Sequence, residues 1–247
     1  MVSQESAAVS RRVALVTGAG RGIGRAIALA LAGEAYDLCL AARTFEELAE
    51  TRQLSKLAPA RALIIVIDLA DADAPANLFD AAIAHFGQLD VLVNNAGWAP
   101  ARTALVKQRG ADLDRMIAVN LRTPIALARL AAARMMEQER GGVIVNIASV
   151  AGRTPAAGET VYAAVKAGLI AFTRSCFAEF RASRVRTAVI IPGLTDTAFI
   201  PPNKRLDRGA MLRPDDVAHA VLGVVTAPGA APVEIVLEPA RDPMRSG

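Results

Sequence analysis

The chain has 247 residues, of which 53% are hydrophobic and 21% charged, so it can bury a large core and is not a disordered protein. The net charge of +4 comes from 28 basic residues scattered among 24 acidic ones. The chain therefore lacks the basic run or aromatic-basic alternation of a nucleic-acid surface, and we expect no nucleic-acid partner.

Cysteine and histidine are too sparse and too isolated to suggest disulfides or a metal site. Cys39 and Cys176 lie in apolar runs and are expected to be buried free thiols, while His85 and His219 stand alone on helical segments. The N-terminal residues have no apolar targeting segment, and no apolar run is expected to approach the ~20 residues of a membrane span. We expect a cytoplasmic protein with no metal and no membrane partner.

Short β-rich runs alternate with longer helical patterns along the chain. The predicted strands are Val13–Thr17, Asp37–Ala42, Ala62–Ile67, Val91–Asn94, Gly142–Ala148, Val185–Ile191 and Val233–Leu237. The predicted helices are Gly22–Ala32, Phe45–Leu57, Ala74–Phe86, Ala111–Glu139, Val161–Ser183 and Pro214–Thr226. This alternation predicts an α/β fold, a doubly wound parallel sheet with helices on both faces. We expect one catalytic domain over 12–238, a flexible N-terminus over 1–11 and a loosely held tail over 239–247.

The first predicted strand leads directly into a glycine-rich turn, Thr17-Gly-Ala-Gly-Arg-Gly-Ile-Gly24, and an alanine-rich helix follows at once. Gly18, Gly22 and Gly24 would let the backbone turn tightly, approach a pyrophosphate and pack the helix on the sheet. The helix N-terminus would add N–H donors and the positive end of its dipole. Strand, turn and helix together predict a dinucleotide-binding site.

The end of the second strand indicates which dinucleotide binds. A binder of the unphosphorylated ribose usually has an acid there, but the sequence reads Ala41-Ala42-Arg43-Thr44. Arg43, assisted by Arg21 of the glycine turn, offers a guanidinium for a 2′-phosphate. Both arginines could instead be merely solvated. We expect NADP(H) to be preferred over NAD(H).

Two more strands end in polar residues where open α/β sheets bind ligands. Asp68-Leu69 follows the third strand and Asn94-Asn95-Ala96-Gly97 ends the fourth. Asp68 could accept a hydrogen bond from the adenine amino group or could cap the next turn. Asn94 could tie the sheet backbone or touch the cofactor.

Tyr162 and Lys166 form the most informative pair of the chain. Both fall in an apolar helical pattern, and their i, i+4 spacing places them on one face, about 5–6 Å apart at Cβ. A phenol is a poor acid at neutral pH, and a nearby ammonium would favour its charged form. The pair therefore indicates a general acid/base, although a half-buried aromatic beside a solvated lysine has the same pattern.

Taken in order, these motifs resemble those of the short-chain dehydrogenase/reductase family, in its single-domain branch. The resemblance rests on the glycine turn, Asn94-Asn-Ala-Gly97, Asn120, Ser149 thirteen residues before Tyr162, Lys166, and Pro192-Gly193. It implies a seven-stranded Rossmann sheet and reversible hydride transfer between nicotinamide and a carbonyl or alcohol.

The resemblance also implies roles for individual residues. Tyr162 would be the general acid/base, Lys166 would lower its pKa and bind the nicotinamide ribose, and Ser149 would donate to the substrate oxygen. Asn120 would hold a water in a proton relay, unless it only bonds its own helix. The complete set of predicted cofactor-binding residues is Gly18, Gly20, Arg21, Gly22, Ile23, Gly24, Arg43, Asp68, Leu69, Asn95, Ala96, Gly97, Tyr162, Lys166, Pro192, Gly193, Thr195 and Thr197.

The region where the family places its substrate lid, 198–212, is short and contains Phe199, Pro201 and Pro202. With Trp98 it predicts an apolar pocket for a small or medium ketone, diketone or hydroxy acid. Lys204, Arg205 and Arg208 could contact a substrate carboxylate or simply be surface charges.

The sequence leaves two other functions and the oligomeric state open. A reductase of 3-oxoacyl thioesters on acyl carrier protein or CoA is disfavoured because the chain ends Val233-Glu-Ile-Val-Leu-Glu-Pro rather than in a glycine-rich turn. An NADP(H)-binding sensor would not need Tyr162, Lys166 and Ser149 together. The long apolar helices 111–139 and 161–183 match those that build dimers and tetramers in the family, so we expect a homotetramer or homodimer, although burial under the sheet would also account for them.

Overall fold

A computed structural model describes residues 11–227, 229 and 232–244 of the chain. The predicted flexible N-terminus therefore lies outside the described residues except for Arg11, as do the last three residues of the predicted tail.

The core of the protein is a sheet of seven parallel strands in the order β3-β2-β1-β4-β5-β6-β7. The strands are β1 Val13–Thr17, β2 Asp37–Ala42, β3 Ala62–Val66, β4 Val91–Asn94, β5 Gly142–Ile147, β6 Val185–Pro192 and β7 Glu234–Leu237. The order reverses where β1 pairs with β4. The predicted doubly wound α/β fold with a seven-stranded Rossmann-type sheet is confirmed.

Helices cover both faces of this sheet. They are α1 Gly22–Gly33, α2 Phe45–Ser55, α3 Ala74–Phe86, α4 Gly110–Ile117, α5 Thr123–Glu137, α6 Thr160–Phe180 and α7 Pro214–Thr226. Because successive strand residues point to opposite faces, Ala14 and Val16 of β1 pack with α1 and α7, while Val13 and Leu15 pack with α3 and α5. Both faces of the strands are thus buried, which explains their nearly continuous apolar sequences.

The predicted helix over 111–139 differs from the observed structure. It consists of α4 and α5 joined by a π-helical turn at Ala118–Arg122, and the turn contains the fully buried Asn120. Turns of this type inside α-helices are frequent at functional sites. The other predicted elements end within three residues of the observed ones.

The prediction that no apolar run approaches the length of a membrane span is wrong for two helical segments. The helical segments 110–137 and 160–180 both reach that length and apolarity. Their apolar residues pack against the sheet: α5 buries Leu127 and Ala131, and α6 buries Leu169 and Ile170. Burial under the sheet accounts for part of the apolar composition of both segments.

A buried polar chain crosses the middle of the sheet. The Asn94 amide donates to Asn146 Oδ1 (2.9 Å) and to the Pro124 carbonyl (3.2 Å), and the Asn146 amide donates to Thr173 Oγ1 (2.9 Å). Asn94 therefore ties the sheet to the helices that cover it, which resolves the alternatives left open for this residue. Each of these three buried side chains thus has a hydrogen-bond partner, as burial requires.

We expect Asn146→Ala to lower the free energy of unfolding by about 1–3 kcal/mol, because the buried Asn94 amide and Thr173 hydroxyl would each lose a partner. Urea denaturation measures this loss. Asn77→Ala, at an exposed position of α3, is the matched control and should change stability little. Equal effects of the two substitutions would contradict a stabilising role for the polar chain.

Candidate active site

One cavity of about 790 Å³ opens at the carboxyl ends of the strands, beside the β1–β4 reversal. This is where open α/β sheets bind ligands, and the volume is that of a typical ligand site. Every predicted catalytic or cofactor-binding residue lines this cavity except Asn120, which lies buried behind it.

The glycine turn fits an anionic group closely. Gly18 and Gly22 have φ angles of 66° and 54°, in the left-handed region that favours glycine. A Cβ on Gly24 would lie 2.1 Å from the Gly18 carbonyl oxygen, so helix α1 packs too tightly on the turn for any side chain. No side chain caps α1 and its first turn has no acid. Its N-terminal N–H groups are therefore available to a pyrophosphate.

The end of β4 supports the turn from the other side. The Asn95 amide donates to the Thr17 carbonyl (2.8 Å), and Thr17 Oγ1 accepts from the backbone N–H groups of Asn95 and Ala96, both at 3.0 Å. The Asn95 side chain is thus occupied within the protein. Asn95 would therefore assist cofactor binding by holding the loop after β4 in place.

The charged residues at the predicted 2′-phosphate position include an acid that sequence reasoning missed. Arg21 and Arg43 both line the cavity, but Glu47 of α2 lines it too, and its carboxylate lies 3.4 Å from Arg21 Nη1. Glu46 and Glu47 lie in the first turn of α2, where negative charge is ordinary at a helix N-terminus, so the sequence gives no signal of this role.

Asp68 also has a partner that the sequence did not reveal. Both of its carboxylate oxygens accept from Arg115 of α4 (3.0 and 2.8 Å), and Oδ1 accepts from the Ala70 N–H as a turn cap. Although partial burial opposes the effect, the Ala70 hydrogen bond and the Arg115 guanidinium lower the pKa of Asp68. Arg115 also lies 5.6 Å from the centre of the Trp98 ring. It thus connects the two ends of the cavity.

Tyr162 and Ser149 come together at the deep end of the cavity. Ser149 follows β5 in an extended conformation, and Tyr162 lies in the first turn of α6. Burial raises the pKa of Tyr162 to about 12, a hydrogen bond with Ser149 opposes this rise, and the Glu159 carboxylate adds to it. The sequence had suggested that Lys166 lowers this pKa. In the structure burial outweighs any such effect, and the phenol is held in its protonated form.

Lys166 is only 3% exposed, and its Nζ donates to the Ile147 carbonyl (3.0 Å) at the end of β5. It lies 5.7 Å from the centre of the Tyr162 ring. Burial lowers the pKa of Lys166 from 10.5 to about 8. The solvated lysine considered as an alternative is therefore wrong, and a buried amine faces the cavity beside the phenol.

Asn120 holds the loop that borders this pair. Its amide donates to the Trp98 carbonyl (2.7 Å) and to the Met116 carbonyl of its own helix (3.0 Å). Its Oδ1 would lie 3.2 Å from a Cβ on Gly97. Asn120 therefore bonds its own helix, as one alternative had it, and also the loop at Trp98, while its role in a proton relay stays a prediction.

The chain matches a known protein family over most of its length. The sequence model of the short chain dehydrogenases matches residues 12–205, more than three quarters of the chain. The chain belongs to the short-chain dehydrogenase family. It is therefore an oxidoreductase of that family.

Named relatives of this short-chain dehydrogenase cover most of its length. A cis-4-hydroxycyclohexanecarboxylate dehydrogenase of Sinomonas cyclohexanicum is 37% identical over 225 residues, covering 87% of this chain and 89% of the relative. A metagenomic short-chain oxidoreductase solved with NADP is 34% identical with a TM-score of 0.81, covering 93% and 98%. An alcohol dehydrogenase of Thermococcus sibiricus, solved with 5-hydroxy-NADP, is 26% identical with a TM-score of 0.83, covering 95% and 100%.

The predicted lid of this dehydrogenase covers the phenol but does not direct its basic residues inward. The Phe199 ring lies 6.0 Å from the Tyr162 ring. Arg208 instead holds the lid, donating to Asp196 (2.6 Å) and to the Thr197 carbonyl (2.8 Å). Lys204, Arg205 and Arg208 do not line the cavity, so the suggested carboxylate contact is not supported.

The tail and one ion pair complete the cavity wall in ways the sequence did not reveal. Met244 lines the cavity and pairs with Leu206 of the lid, and the Asp207 N–H donates to the Pro243 carbonyl (2.8 Å). The described part of the tail therefore contacts the lid. At the opposite rim Arg102 and Glu159 form an ion pair at 2.6 Å.

The low pKa of Lys166 has a consequence for stability. Below pH 8 the folded protein contains a buried ammonium, whereas the unfolded chain keeps the ordinary pKa of 10.5. Folding stability should therefore rise with pH between those two values. We expect Lys166→Met to stabilise the protein at pH 7 by up to roughly 3 kcal/mol, from about 1.4 kcal/mol per pKa unit, and the gain should fade towards pH 10.

Urea denaturation at pH 7 and pH 10 measures this effect. Lys107→Met, which removes an exposed lysine, is the control and should show no gain that fades with pH. A loss of stability at pH 7 in Lys166→Met would contradict the cost assigned to the buried ammonium.

Proposed function

We propose that this protein is an NADP(H)-dependent reductase and dehydrogenase. It would act on a small or medium carbonyl or alcohol, namely a ketone, diketone or hydroxy acid, with Tyr162 as the general acid/base. The observation that carries the proposal is the meeting of Tyr162, Ser149 and the buried Lys166 in the same cavity as the glycine turn. A binding module would have no use for two hydroxyls and an amine placed together beside its ligand.

The protein's own residues account for the proton chemistry. The nicotinamide cofactor would supply or accept the hydride. Tyr162 keeps its proton at neutral pH and is suited to donate it to a carbonyl oxygen, while Ser149 stabilises negative charge on that oxygen. The same raised pKa disfavours the phenolate that alcohol oxidation requires.

The residues that would hold the cofactor follow the cavity. The glycine turn and the start of α1 would bind the pyrophosphate, Arg21 and Arg43 the 2′-phosphate, and Asp68 the adenine. At the other end, the segment after β6 would bind the carboxamide and the nicotinamide half through Pro192, Gly193, Thr195 and Thr197.

The substrate class is inferred from the apolar end of the cavity. This end is lined by Trp98, Phe199, Ile200 and Met244. Transfer of a carbon skeleton of modest size from water into it would therefore be favourable. The name of the Sinomonas relative supports a hydroxy acid within this class.

We expect Tyr162→Phe to reduce turnover of a ketone by at least about a hundredfold, because the proton donor is removed, while binding of NADPH stays nearly unchanged. Oxidation of NADPH and of NADH, followed by absorbance over a panel of ketones, diketones, keto acids and one acyl thioester, measures this. Tyr36→Phe is the matched control, since it removes the hydroxyl of the other tyrosine, which is buried in the core.

The outcomes separate the competing functions. Fastest turnover of the thioester would favour a 3-oxoacyl thioester reductase over the proposed class. Tight NADPH binding without turnover of any carbonyl would favour a sensor. Full activity of Tyr162→Phe would exclude the proposed acid.

We expect Arg43→Ala to weaken NADPH binding by about tenfold or more and NADH binding far less, because only NADPH has the 2′-phosphate. Arg43 lines the cavity, is exposed, and has no ion pair among the described residues. Arg181→Ala, which removes an exposed arginine outside the cavity, is the control. Equal losses for both cofactors would exclude Arg43 as the phosphate ligand, and high salt should weaken NADPH binding to the wild type.

We further propose that the enzyme works in the cytoplasm as a homodimer or homotetramer. Leu105, Ile117, Leu121, Val161 and Val165 form an apolar surface on α4, α6 and the adjoining segments. Leu105 and Ile117 are about half exposed in the single chain. A second copy placed on this surface would remove them from water, and the mass in solution tests for such an assembly.

A further inference from the structure

The subsite expected to hold the 2′-phosphate contains an acid. Arg21, Arg43 and Glu47 all line this end of the cavity, and Glu47 Oε1 lies 3.4 Å from Arg21 Nη1. The Arg21 side chain is 62% exposed and that of Glu47 only 32%. Of the two cations, Arg21 therefore already has a counter-charge, while Arg43 has no ion pair among the described residues.

Glu47 is held against the glycine turn. A Cβ on Gly20 would lie 2.9 Å from Glu47 Cβ and 3.0 Å from Glu47 Oε2, so the carboxylate rests on the Gly20 backbone. Arg25 donates from Nε to the Gly20 carbonyl (2.9 Å) and from Nη2 to the Glu47 carbonyl (3.4 Å), and Thr51 Oγ1 donates to the Ala19 carbonyl (2.9 Å). These contacts fix the start of α2 to the turn. The acid therefore has little freedom to move away from it.

Such a carboxylate acts in opposite directions on the two cofactors. A 2′-phosphate carries close to two negative charges, so a neighbouring carboxylate repels it and competes with it for Arg21. A ribose 2′-hydroxyl is a donor that a carboxylate accepts well, as the usual acid of NAD-binding sites does. The same side chain thus weakens the binding of NADP(H) and favours the binding of NAD(H).

We propose that Glu47 is a specificity-determining residue that limits the preference for NADP(H) and allows NAD(H) to bind as well. This inference rests on the proposed function, since it assumes that a nicotinamide dinucleotide occupies the cavity. Arg43 and Arg21 attract the phosphate, and Glu47 reduces their combined effect. The competing explanation is a solvated surface ion pair of no consequence for binding.

The test is calorimetric binding of two nucleotides that lack the nicotinamide half, 2′,5′-ADP and 5′-ADP, to the wild type and to Glu47→Gln. Glutamine keeps the shape and one acceptor oxygen but removes the charge. We expect Glu47→Gln to bind 2′,5′-ADP about tenfold more tightly at low salt, with a smaller gain at high salt. Binding of 5′-ADP should stay level or weaken slightly.

Glu46→Gln is the matched control. It removes the same charge from the same helical turn, but Glu46 is exposed and does not line the cavity. Its affinity for both nucleotides should match that of the wild type, and circular dichroism of all three proteins verifies that they are folded. The ratio of the wild-type dissociation constants should itself be moderate, within about a hundredfold.

Two kinds of failure can be told apart. If the wild type binds both nucleotides but Glu47→Gln and Glu46→Gln behave alike, the role of Glu47 is wrong and the proposed function stands. If the wild type binds neither nucleotide, the role of Glu47 and the proposed dinucleotide site are both wrong. A Glu47→Gln variant that binds 2′,5′-ADP more weakly would also overturn the inference.

Discussion

The reversal of strand order between β1 and β4 is the constraint on which the site depends. The chain leaves β1 towards one edge of the sheet and returns at β4 towards the other, so two loops diverge and leave a cleft between them. Thr17 joins these loops, because its hydroxyl accepts from the backbone of residues 95 and 96 and donates to the Val93 carbonyl. This buried hydroxyl and the Asn95 amide thus hold the glycine turn and the loop after β4 in one fixed relation.

Burial changes the pKa values of Tyr162 and Lys166 more than their closeness to each other does. Removal from water favours the neutral form of both reactive groups, so it raises the pKa of the phenol and lowers that of the amine. The two pKa values, ordinarily 10.0 and 10.5, move apart to about 12 and about 8, so Tyr162 holds its proton and Lys166 can lose one. Burial of these groups lowers the folding stability of the protein, which is a common compromise between activity and stability.

Much of this arrangement was predictable from the sequence, for reasons that differ between residues. Strand and helix periodicity placed the glycine turn, Ser149 and Tyr162 at element ends, and parallel strands bring such ends to one edge. Glu47 and Arg115 were missed because each lies in a short helix where a charge has an ordinary explanation. The effect of burial on the pKa of Tyr162 could not be predicted, since its adjacency to Lys166 can be read from spacing whereas burial depends on the packed fold. The π turn at Asn120 has no sequence signal in a single chain.

The contact between the tail and the lid has a practical consequence. Met244 belongs to the wall of the cavity and Pro243 shares a backbone hydrogen bond with the lid. A purification tag or fusion partner joined just after these residues would therefore sit beside the entrance to the active site. Its bulk could hinder lid movement and be mistaken for poor catalysis, so recombinant protein intended for kinetics is better tagged at the opposite terminus.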